Sequence, residues 1–438
     1  MALTAAEQYA IELLNRARLD PAAEARRQGI GLNDNLPAGT IKALPMQVVA
    51  PYSPGEKAAV LHAVWMIEND VFSHNQGGKL DRADSRLMAS GFDTGSGRWG
   101  WGENLGAQTT SGRSDQTLIQ EFQKGWMLSA SHREGMLDPN QREIGYAHVK
   151  GDLSVQGVTF QEIGVEVFSY SASRVYVTGV AYADRDGDGF YSMGEGQGRL
   201  AMSIVGGKAT TTASAGGYAL LANAGDEVTV QIGSGASVTR VRVDLEPGNA
   251  KLDVVGGSWL KVSGDTTLVS GAIRKVEALG IGHIDLTGNG YANRLVGNRG
   301  NNDLTGKNGA DRLFGNGGHD KLDGGNGADV LNGGAGRDRL IGGAGNDLLT
   351  GGAGPDKFVF ALGGDQDRIS DYNLRQNDRL LLDDALWSDA GTLTGAQVVS
   401  RFAEVTRAGV LFDFGDGDTL QLNGVKSLAG LASHIDII

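Results

Sequence analysis

A nine-residue repeat across residues 288–359 limits the possible folds of this chain more than any other feature. Written in nines, the stretch reads GNGYANRLV, GNRGNNDLT, GKNGADRLF, GNGGHDKLD, GGNGADVLN, GGAGRDRLI, GGAGNDLLT and GGAGPDKFV. The sixth place is always Asn or Asp, and the eighth is always apolar. A flexible Gly/Asp-rich linker is the alternative, but a linker would not keep an apolar residue at a fixed place. The register therefore predicts stacked, repeating structural units.

The chemistry of each position indicates what the stacked units surround. Glycine permits left-handed backbone and tight turns, and the apolar eighth residue is expected to face a narrow core. If two repeats make one coil, sixth-position residues 18 apart lie one strand spacing apart, about 4.8 Å. Carboxylates that close repel each other. Calcium, which takes about six to eight oxygen ligands, would turn this repulsion into attraction.

The repeat resembles the G-G-x-G-x-D-x-U-x pattern of RTX (repeats-in-toxin) proteins, which form a parallel β-roll around calcium. The resemblance implies a β-roll over residues 288–382 that binds several calcium ions. The segment GGDQDRISDYNLRQNDRLLL, which ends at residue 382, resembles the calcium-binding edge of serralysin-type β-rolls. The neutral Asn293 and Asn302 are expected to make the first coil a weaker calcium site. The implied ligands are Asn302, Asp311, Asp320, Asp329, Asp338, Asp347, Asp356, Asp365, Asp367, Asp371 and Asp378.

Composition excludes several classes of protein. The 438 residues predict two to four domains, and a net charge of −13 without an evident basic cluster disfavours nucleic-acid binding. The absence of cysteine excludes disulfides and thiol zinc sites. The opening MALTAAEQYA lacks the features of an ordinary signal peptide, and no run of 18 apolar residues predicts a transmembrane segment.

The amino-terminal region predicts helices followed by strands. Thr4 and Glu7 form a capping box before a helix with an apolar face, and Asp20-Pro21 interrupts that helix. Further helices are expected at 54–70 and 114–127, with a glycine-rich stretch at 91–106 between them. From residue 143 the pattern changes to strands, with EIGYAHV and then VTFQEIGVEVF.

Four short strings in this region resemble the bacterial branch of the CAP superfamily (cysteine-rich secretory, antigen 5, pathogenesis-related proteins; also SCP). They are FSH at 72–74, GENL at 102–105, WMLSASHR at 126–133, and EIG at 143–145 with FQ at 160–161. The resemblance covers residues 1–171 and implies an α-β-α sandwich with a cavity. Two imidazoles and carboxylates can hold one divalent metal ion, or a water molecule, although any single histidine is also a common structural residue. The implied cavity residues are His74, Glu103 and His132, with Glu143 and Gln161 as further wall residues.

A second calcium motif lies at residues 184–195, DRDGDGFYSMGE, which has the spacing of an EF-hand loop. Its flanks, VYVTGVAYA and RLAMSIVGG, predict strands rather than helices, and residues 172–255 resemble the small β-sandwich B repeats of surface adhesins. An acidic turn without an ion is the alternative. The implied ligands are Asp184, Asp186, Asp188, the carbonyl of Phe190, Ser192 and the bidentate Glu195.

The remaining segments are expected to be connecting strands at 256–287 and a carboxyl-terminal β-segment at 383–438. The final HIDII resembles RTX export signals, with Asp436 as its acidic residue. This implies the type I secretion machinery as a partner and an extracellular location. An ordinary terminal strand is also compatible with these residues, but the export signal is the favoured interpretation.

Together these features predict a multidomain α+β protein: a CAP α-β-α sandwich, a small calcium-loop β-sandwich and a parallel β-roll. The expected function is that of a secreted calcium-binding protein whose CAP domain binds a lipid, peptide or surface ligand. Two alternatives stay open, a metal- or His/Glu-dependent hydrolase and a structural adhesin.

Overall fold

The chain separates into two compact units in the computed structural model. The structure describes residues 3–95, 97–109, 112–223, 225–235, 238–246 and 248–438. Unit 1 comprises residues 1–238 and 243–257, and unit 2 comprises residues 239–242 and 258–438. Among the described residues, no helix is both long enough and apolar enough to cross a membrane.

The amino-terminal part of unit 1 combines helices with a four-stranded sheet of order β1-β3-β4-β2. The β1–β3 pair is parallel, whereas β3–β4 and β2–β4 are antiparallel. The helices are α1 (Ala5–Leu19), α2 (Pro21–Arg27), α3 (Ser53–Asn69), α4 (Ala83–Ala89), α5 (Asp115–Leu128) and α6 (Ala130–Met136). The strands are β1 (Ala50–Pro51), β2 (Trp99–Gln108), β3 (Glu143–Val155) and β4 (Val158–Ser171).

Local capping explains where the first helices begin and end. The Thr4 hydroxyl accepts the backbone N–H of Glu7, whose carboxylate accepts the N–H of Thr4, so the predicted capping box is confirmed. Asp20 caps α2 through the N–H of Ala23, with Pro21 in the first turn. The predicted interruption between α1 and α2 is therefore present.

The glycine-rich stretch at 91–106, to which the sequence analysis assigned no helix or strand, contains the start of β2 at Trp99. Ten residues of β2 pair with β4, and this long-range pairing overrides the weak strand propensity of glycine. Glycine is needed at position 106, since a Cβ there would lie 2.5 Å from a ring carbon of Phe122. The lack of a side chain at Gly106 thus allows Phe122 of α5 to pack closely on this strand.

The rest of unit 1 consists of two groups of short strands. Strand β5 pairs antiparallel with β8 and parallel with β11, whereas β6 pairs with β7 and β9. The calcium-motif residues 184–195 follow β5 directly and are flanked by strands, as predicted. The strands are β5 (Val175–Tyr182), β6 (Ala201–Ile204), β7 (Ala209–Thr211), β8 (Gly217–Ala222), β9 (Glu227–Ile232), β10 (Thr239–Asp244, which spans both units) and β11 (Ala250–Val255).

Buried polar contacts join these strands to α1. The Lys251 ammonium lies 2.7 Å from a Glu12 carboxylate oxygen and also contacts Asp253, and all three side chains are buried. Tyr9 of α1 packs against Phe190 and Tyr191 of the calcium-motif segment. These contacts explain why residues 172–238 and 243–255 belong to the same compact unit as the helical region.

Unit 2 is a β-solenoid built from two parallel sheets. Each coil places one strand in each sheet, and residues 18 apart are paired along the repeat region, as in Leu295↔Leu313 and Leu304↔Leu322. The first solenoid sheet contains β12 (Trp259–Val262), β14 (Lys275–Ala278), β16 (Arg294–Val296), β18 (Arg312–Gly318), β20 (Val330–Gly336), β22 (Leu348–Ala353), β24 (Gln366–Ile369) and β28 (Asp418–Asn423). The second contains β13 (Thr266–Ser270), β15 (Leu286–Thr287), β17 (Asp303–Asn308), β19 (Lys321–Asn326), β21 (Arg339–Ala344), β23 (Lys357–Phe360), β25 (Arg379–Leu382) and β29 (Ile435–Ile437).

The apolar eighth positions form the narrow core between these sheets. They are almost completely buried, with at most 1% exposure. Parallel stacking also begins before residue 288 and continues beyond residue 382, because β12, β14, β28 and β29 join the same two sheets. The predicted two-repeat coil is confirmed. The carboxyl-terminal segment adds α7 (Gly395–Phe402), β26 (Ala403–Val405) and β27 (Gly409–Gly415).

Candidate functional site

The sixth-position side chains form two internal rows along the solenoid. In each row, one carboxylate oxygen (Oδ1) accepts the backbone N–H of the residue 18 positions earlier. These N–O distances lie between 2.6 and 2.9 Å, from Asn293–Asp311 to Asp338–Asp356. Hydrogen bonds to the backbone of the preceding coil therefore set the spacing between neighbouring aspartates in each row.

The second oxygen of each aspartate has no hydrogen-bond partner within the described part of the chain. All six residues are at most 3% exposed, so these oxygens are buried acceptors without donors. Burial raises the pKa of Asp311 to about 6 and that of Asp347 to about 7. A buried carboxylate without donors is costly unless it takes up a proton or is paired with a cation, so the ionised form requires a cation. The six oxygens belong to Asp311, Asp320, Asp329, Asp338, Asp347 and Asp356.

Each of these oxygens faces a space that the glycine of the first position leaves open. A Cβ built on Gly306 would lie 2.4 Å from Asp311 Oδ2 and 2.6 Å from the carbonyl oxygen of Gly324. The same arrangement recurs at Gly315 and Gly324, and the carboxylate oxygen is equally close at Gly333, Gly342 and Gly351. Carboxylate and carbonyl oxygens thus converge from neighbouring coils. A set of oxygen donors without nitrogen or sulfur fits calcium.

The amino end of the rows is closed by amides instead. Asn302 Nδ2 donates to the carbonyl oxygen of Ile284 at 3.0 Å, and its Oδ1 accepts the N–H of Asn298. Asn293 Nδ2 lies 3.3 Å from Asn289 Oδ1. Since an amide N–H₂ group satisfies the acceptor that an ion would otherwise bind, Asn302 is a poorer ligand than the aspartates that follow it.

At the carboxyl end, two of the four predicted edge residues continue the rows. Asp367 Oδ1 accepts the N–H of Asp347 at 2.9 Å, and Asp378 Oδ1 accepts the N–H of Asp356 at 3.0 Å. Burial raises the pKa of Asp367 to about 8. The coils lengthen here to 20 and 22 residues, but the hydrogen bonds from backbone N–H groups to aspartate oxygens continue.

The other two edge residues lie outside the rows. Both oxygens of Asp371 accept backbone N–H groups, from Gly351 and Gly352. Asp365 is exposed, and its N–H donates to the buried carboxylate of Asp418. These hydrogen bonds satisfy Asp371 locally, so the rows themselves offer the better ligands.

The loop at 184–195 brings three carboxylates together. Oxygens of Asp184, Asp186 and Asp188 lie within 4.8 Å of one another. Glu195 is 4% exposed, and its two oxygens accept the N–H groups of Arg185 at 2.6 Å and Ser192 at 2.9 Å. Two backbone N–H groups therefore hold the buried Glu195 carboxylate in place, whereas Asp186 and Asp188 are exposed.

Two further predicted ligands complete the description of this loop. Ser192 Oγ donates to Asp186 Oδ2 at 3.2 Å, so the hydroxyl faces the acidic cluster. Phe190 donates its N–H to Asp188, and its ring lies against Tyr9 of α1. The aromatic ring thus anchors the loop, while the backbone carbonyl is the group that the sequence analysis assigned to the metal.

A second polar cluster surrounds Glu103 of β2. His74 Nδ1 lies 3.0 Å from Glu103 Oε1, and Arg86 Nη2 donates to Glu103 Oε2 at 2.6 Å. His62 Nε2 lies 3.8 Å from the same Oε1. The Glu103 and Arg86 side chains are buried, whereas the His74 side chain is 55% exposed. His74 is therefore the group through which this cluster meets solvent.

His62 and Arg86 were not found by sequence reasoning. His62 lies on α3 and Arg86 on α4, within ordinary helical patterns. The only available signal was that both fall on the buried side of their helices, where a charged or polar residue requires a partner. Arg86 also donates to the carbonyls of His74 and Asp81, so it positions the FSH segment.

His132 is the third residue of the predicted cavity, and its place in a shared cavity stays a prediction. Burial lowers the pKa of His132, and the charge of His74 lowers it further. Both effects favour the neutral form of the imidazole.

Glu143 and Gln161 have different surroundings. Glu143 is fully buried and is held by Arg174, Ser169 and the hydroxyl of Tyr176. Gln161 lies on β4 six residues from Val167, the residue opposite Glu103, which corresponds to roughly 20 Å along a strand. The structure thus does not bring Gln161 to Glu103, because the register of β4 sets this separation.

The Glu103 cluster does not form a ready metal site. Its carboxylate oxygens are already bonded to Arg86 and His74, and the His62 nitrogens contact Gln76 and a backbone carbonyl. Within the described ranges, the group of acidic and imidazole ligand atoms that meets within 4.8 Å is the one at 184–188. The predicted divalent ion between His74 and His132 gains no support from this geometry.

Comparison with known proteins agrees with the solenoid chemistry. The family model of the RTX calcium-binding nonapeptide repeat matches residues 287–322 and 323–358. No curated protein matches the chain. Among solved structures, the chain is similar to the extracellular lipase LipA from Serratia marcescens at 14% identity, over 36% of this chain and 40% of that chain, with a TM-score of 0.19. The similarity spans less than half of the lipase, and the low TM-score carries no argument about fold or activity.

Proposed function

We propose that this chain, which contains RTX calcium-binding repeats, is a secreted calcium-binding protein in which a calcium-folded solenoid carries an amino-terminal ligand-binding domain. The observation that carries the proposal is the set of six buried aspartate oxygens without donors, which lie in the two internal rows. A folded solenoid with these oxygens ionised and no cation is strongly disfavoured. Calcium supplies the missing positive charge, so binding and folding are coupled.

The coupling makes the solenoid a switch between two calcium concentrations. Where calcium is scarce, the aspartates repel each other, and the many glycines give the unfolded chain a large conformational entropy. Where calcium is near millimolar, the rows bind ions and the coils stack. An unfolded carboxyl-terminal region suits export through a narrow type I secretion channel, and folding then follows outside the cell.

The export signal is proposed for the final residues. In the folded solenoid, β29 pairs with β25, and Asp436 forms an ion pair with Arg379. This is the ordinary terminal strand that the sequence left open as an alternative. Both roles are compatible if the segment acts as a signal while unfolded and as a strand after folding.

A calcium titration of the full chain tests the switch. Circular dichroism in excess chelator should show low strand content, which rises cooperatively with calcium because neighbouring coils share ligands. Magnesium should not replace calcium, since it demands shorter and more regular coordination. Full strand content in excess chelator would contradict the proposal.

The amino-terminal region is proposed to be a CAP-type domain that binds a lipid, peptide or surface ligand. Supporting observations are a four-stranded sheet between helices and the exposed His74 bonded to the buried Glu103. Ligand capture followed by mass spectrometry, with the His74→Ala chain as the control, tests this role. No ligand enriched on the wild-type chain over that control would favour the structural adhesin instead.

A His/Glu-dependent hydrolase is the second candidate, and it is favoured by the lowered pKa of His132, to which burial and then the charge of His74 contribute. A neutral imidazole can accept a proton from water. Glu103 is a weaker candidate for a base, since both of its carboxylate oxygens already have partners, His74 and Arg86. Ester hydrolysis that is lost in His132→Gln and retained in His434→Gln would support this activity, and equal rates in both would exclude it.

A further inference from the structure

The outer face of the first solenoid sheet carries a column of cations. The pairing of β12, β14, β16 and β18 aligns Trp259, Lys275, Arg294 and Arg312 across four neighbouring strands. These side chains lie opposite the buried core positions and about 4.8 Å apart. The next strands continue the column with apolar residues. We name Lys275, Arg294 and Arg312 the basic column.

Aromatic side chains are interleaved with these cations. The Lys275 ammonium lies 3.1 Å and the Lys261 ammonium 4.4 Å from the centre of a Trp259 ring. Arg294 lies 4.2 Å from the Phe314 ring centre. Beside the column, Arg274 lies 4.1 Å from the ring of Tyr291, which is 59% exposed. Lys275 and Arg294 are thus held by rings rather than by carboxylates.

The basic column is not neutralised. Among the described residues, no carboxylate lies within 4.0 Å of the charged nitrogens of Lys275, Arg294 or Arg312. The equivalent cations of the second solenoid sheet differ: Lys321 is paired with Asp303 at 2.9 Å, and Arg379 is paired with Asp436. The pKa of Lys275 is lowered by burial and, despite the nearby Glu277, by the positive charges of Arg294 and Lys261. Such a cluster in a chain of net charge −13 favours an anionic partner.

We propose that the basic column binds a linear acidic polysaccharide, whose carboxylate or sulfate groups lie along the solenoid axis. Two charge features support this partner. The cations recur in a straight line on a sheet face, and they carry unpaired N–H donors suited to planar or tetrahedral anions. The proposal is independent of the ligand of the amino-terminal domain.

Other polyanions fit the surface less well. A single-stranded nucleic acid would stack its bases on free aromatic faces, but cations already cover faces of Trp259 and Phe314. A membrane would require protruding apolar side chains next to the cations, whereas Trp259 and Phe314 are half-buried. These partners are therefore outcomes of the test rather than parts of the proposal.

Binding of a heparin octasaccharide to the full chain in excess calcium tests the proposal, with an uncharged malto-oligosaccharide as the negative control. The triple variant Lys275→Gln/Arg294→Gln/Arg312→Gln should weaken binding about tenfold or more, since three charge-assisted contacts are lost. The matched control Lys321→Gln/Arg339→Gln/Lys357→Gln removes the same charge from the second solenoid sheet and should change binding less than about threefold.

Circular dichroism and calcium binding must be unchanged in both variants, which separates loss of the surface from loss of the fold. If one variant misfolds, the single substitution Arg312→Gln and its partner Lys357→Gln repeat the comparison. Equal weakening in both variants would show attraction by net charge alone and overturn the proposal. Binding confined to anionic vesicles or to oligothymidine would also overturn it.

Discussion

At the scale of single residues, the choice between Asn and Asp at one repeat position decides where calcium is needed. The amide of Asn302 satisfies the carbonyl of Ile284 by itself, whereas Asp329 leaves one buried oxygen without a donor. The two side chains have nearly the same shape. The amide has no charge and has N–H donors, so a coil with Asn can satisfy its polar groups by hydrogen bonds. A coil with an ionised Asp requires a bound ion instead.

Replacing aspartates in the rows should weaken calcium binding directly. Asp329→Asn together with Asp338→Asn removes two ligand charges, one from each row, and should raise the calcium midpoint of folding. The control Asp413→Asn with Asp416→Asn removes the same charge from exposed positions of the solenoid unit and should leave the midpoint nearly unchanged. A calcium titration by circular dichroism measures both, and equal midpoints in all three chains would argue against the rows as ligands.

Glu166 gives a pH-dependent prediction in unit 1. Its burial raises the pKa of the carboxyl to about 8, although Asn104 donates to it at 2.9 Å. Because the folded state holds this proton more tightly than the unfolded state, stability falls as pH rises from about 4.5 to about 8 and then levels off. Glu166→Gln removes this titration. The difference in free energy of unfolding between the variant and wild type should therefore shift in favour of the variant by on the order of a few kcal/mol from pH 5 to pH 9.

Calorimetry measures this difference. Excess calcium is included because bound calcium should keep the solenoid aspartates ionised, so that their titration does not contribute. The exposed Glu134→Gln is the matched control and should follow the wild-type pH profile. A Glu166→Gln chain that loses stability between pH 5 and 9 as steeply as wild type would contradict the assigned pKa.

At the scale of elements, the 184–195 loop is packed on the helical layer of unit 1. Arg16 of α1 lies 4.9 Å from the ring centre of Phe190, and the N–H of Met193 donates to Gln116 of α5 at 3.1 Å. An ion bound by the loop would order the backbone next to these contacts. Calcium binding there is therefore expected to stabilise α1 and α5 as well as the loop.

Glu195→Gln tests this link. The substitution leaves one acceptor oxygen where two backbone N–H groups now bind, so it should cost about 1–3 kcal/mol of unit 1 stability. The number of bound calcium ions should also fall by one, which metal analysis of the purified chain measures. Glu246→Gln on the surface should change neither quantity. An unchanged calcium count in Glu195→Gln would show that the loop is an acidic turn.

At the scale of the whole molecule, the two units differ in what holds them together. Unit 1 has an apolar core between α3 and its sheet, formed by side chains such as Met66, Val165 and Val167. Unit 2 has a core only one side chain wide, with buried carboxylates along it. Unit 1 should therefore fold without most of the calcium that unit 2 requires.

Limited proteolysis measures this difference in one experiment. In excess chelator, cleavage should remove residues beyond about 258 and leave a resistant fragment of unit 1, because protease acts on the unfolded solenoid. Calcium should protect both units. Mass spectrometry of the fragments identifies the boundary. Resistance of residues 258–438 in chelator would mean that the solenoid folds without metal.

The sequence by itself determined the solenoid, since its information is local and repeated. The fixed register of glycine, aspartate and leucine predicted 18-residue coils, internal rows and calcium chemistry, and the capping box at Thr4 predicted the start of α1. Each of these features depends on residues a few positions apart, or on one spacing used many times. Stacking identical units leaves little freedom in how they can pack.

Only the tertiary structure decided the features that depend on distant, unrepeated pairings. It paired the glycine-rich 99–108 segment with β4, surrounded Glu103 with His62 and Arg86, and separated Gln161 from that cluster. It also aligned Lys275, Arg294 and Arg312, which lie 19 and 18 residues apart and carry no local signal. The physical reason is that strand register and burial set which side chains meet, and both are determined by contacts across the whole unit.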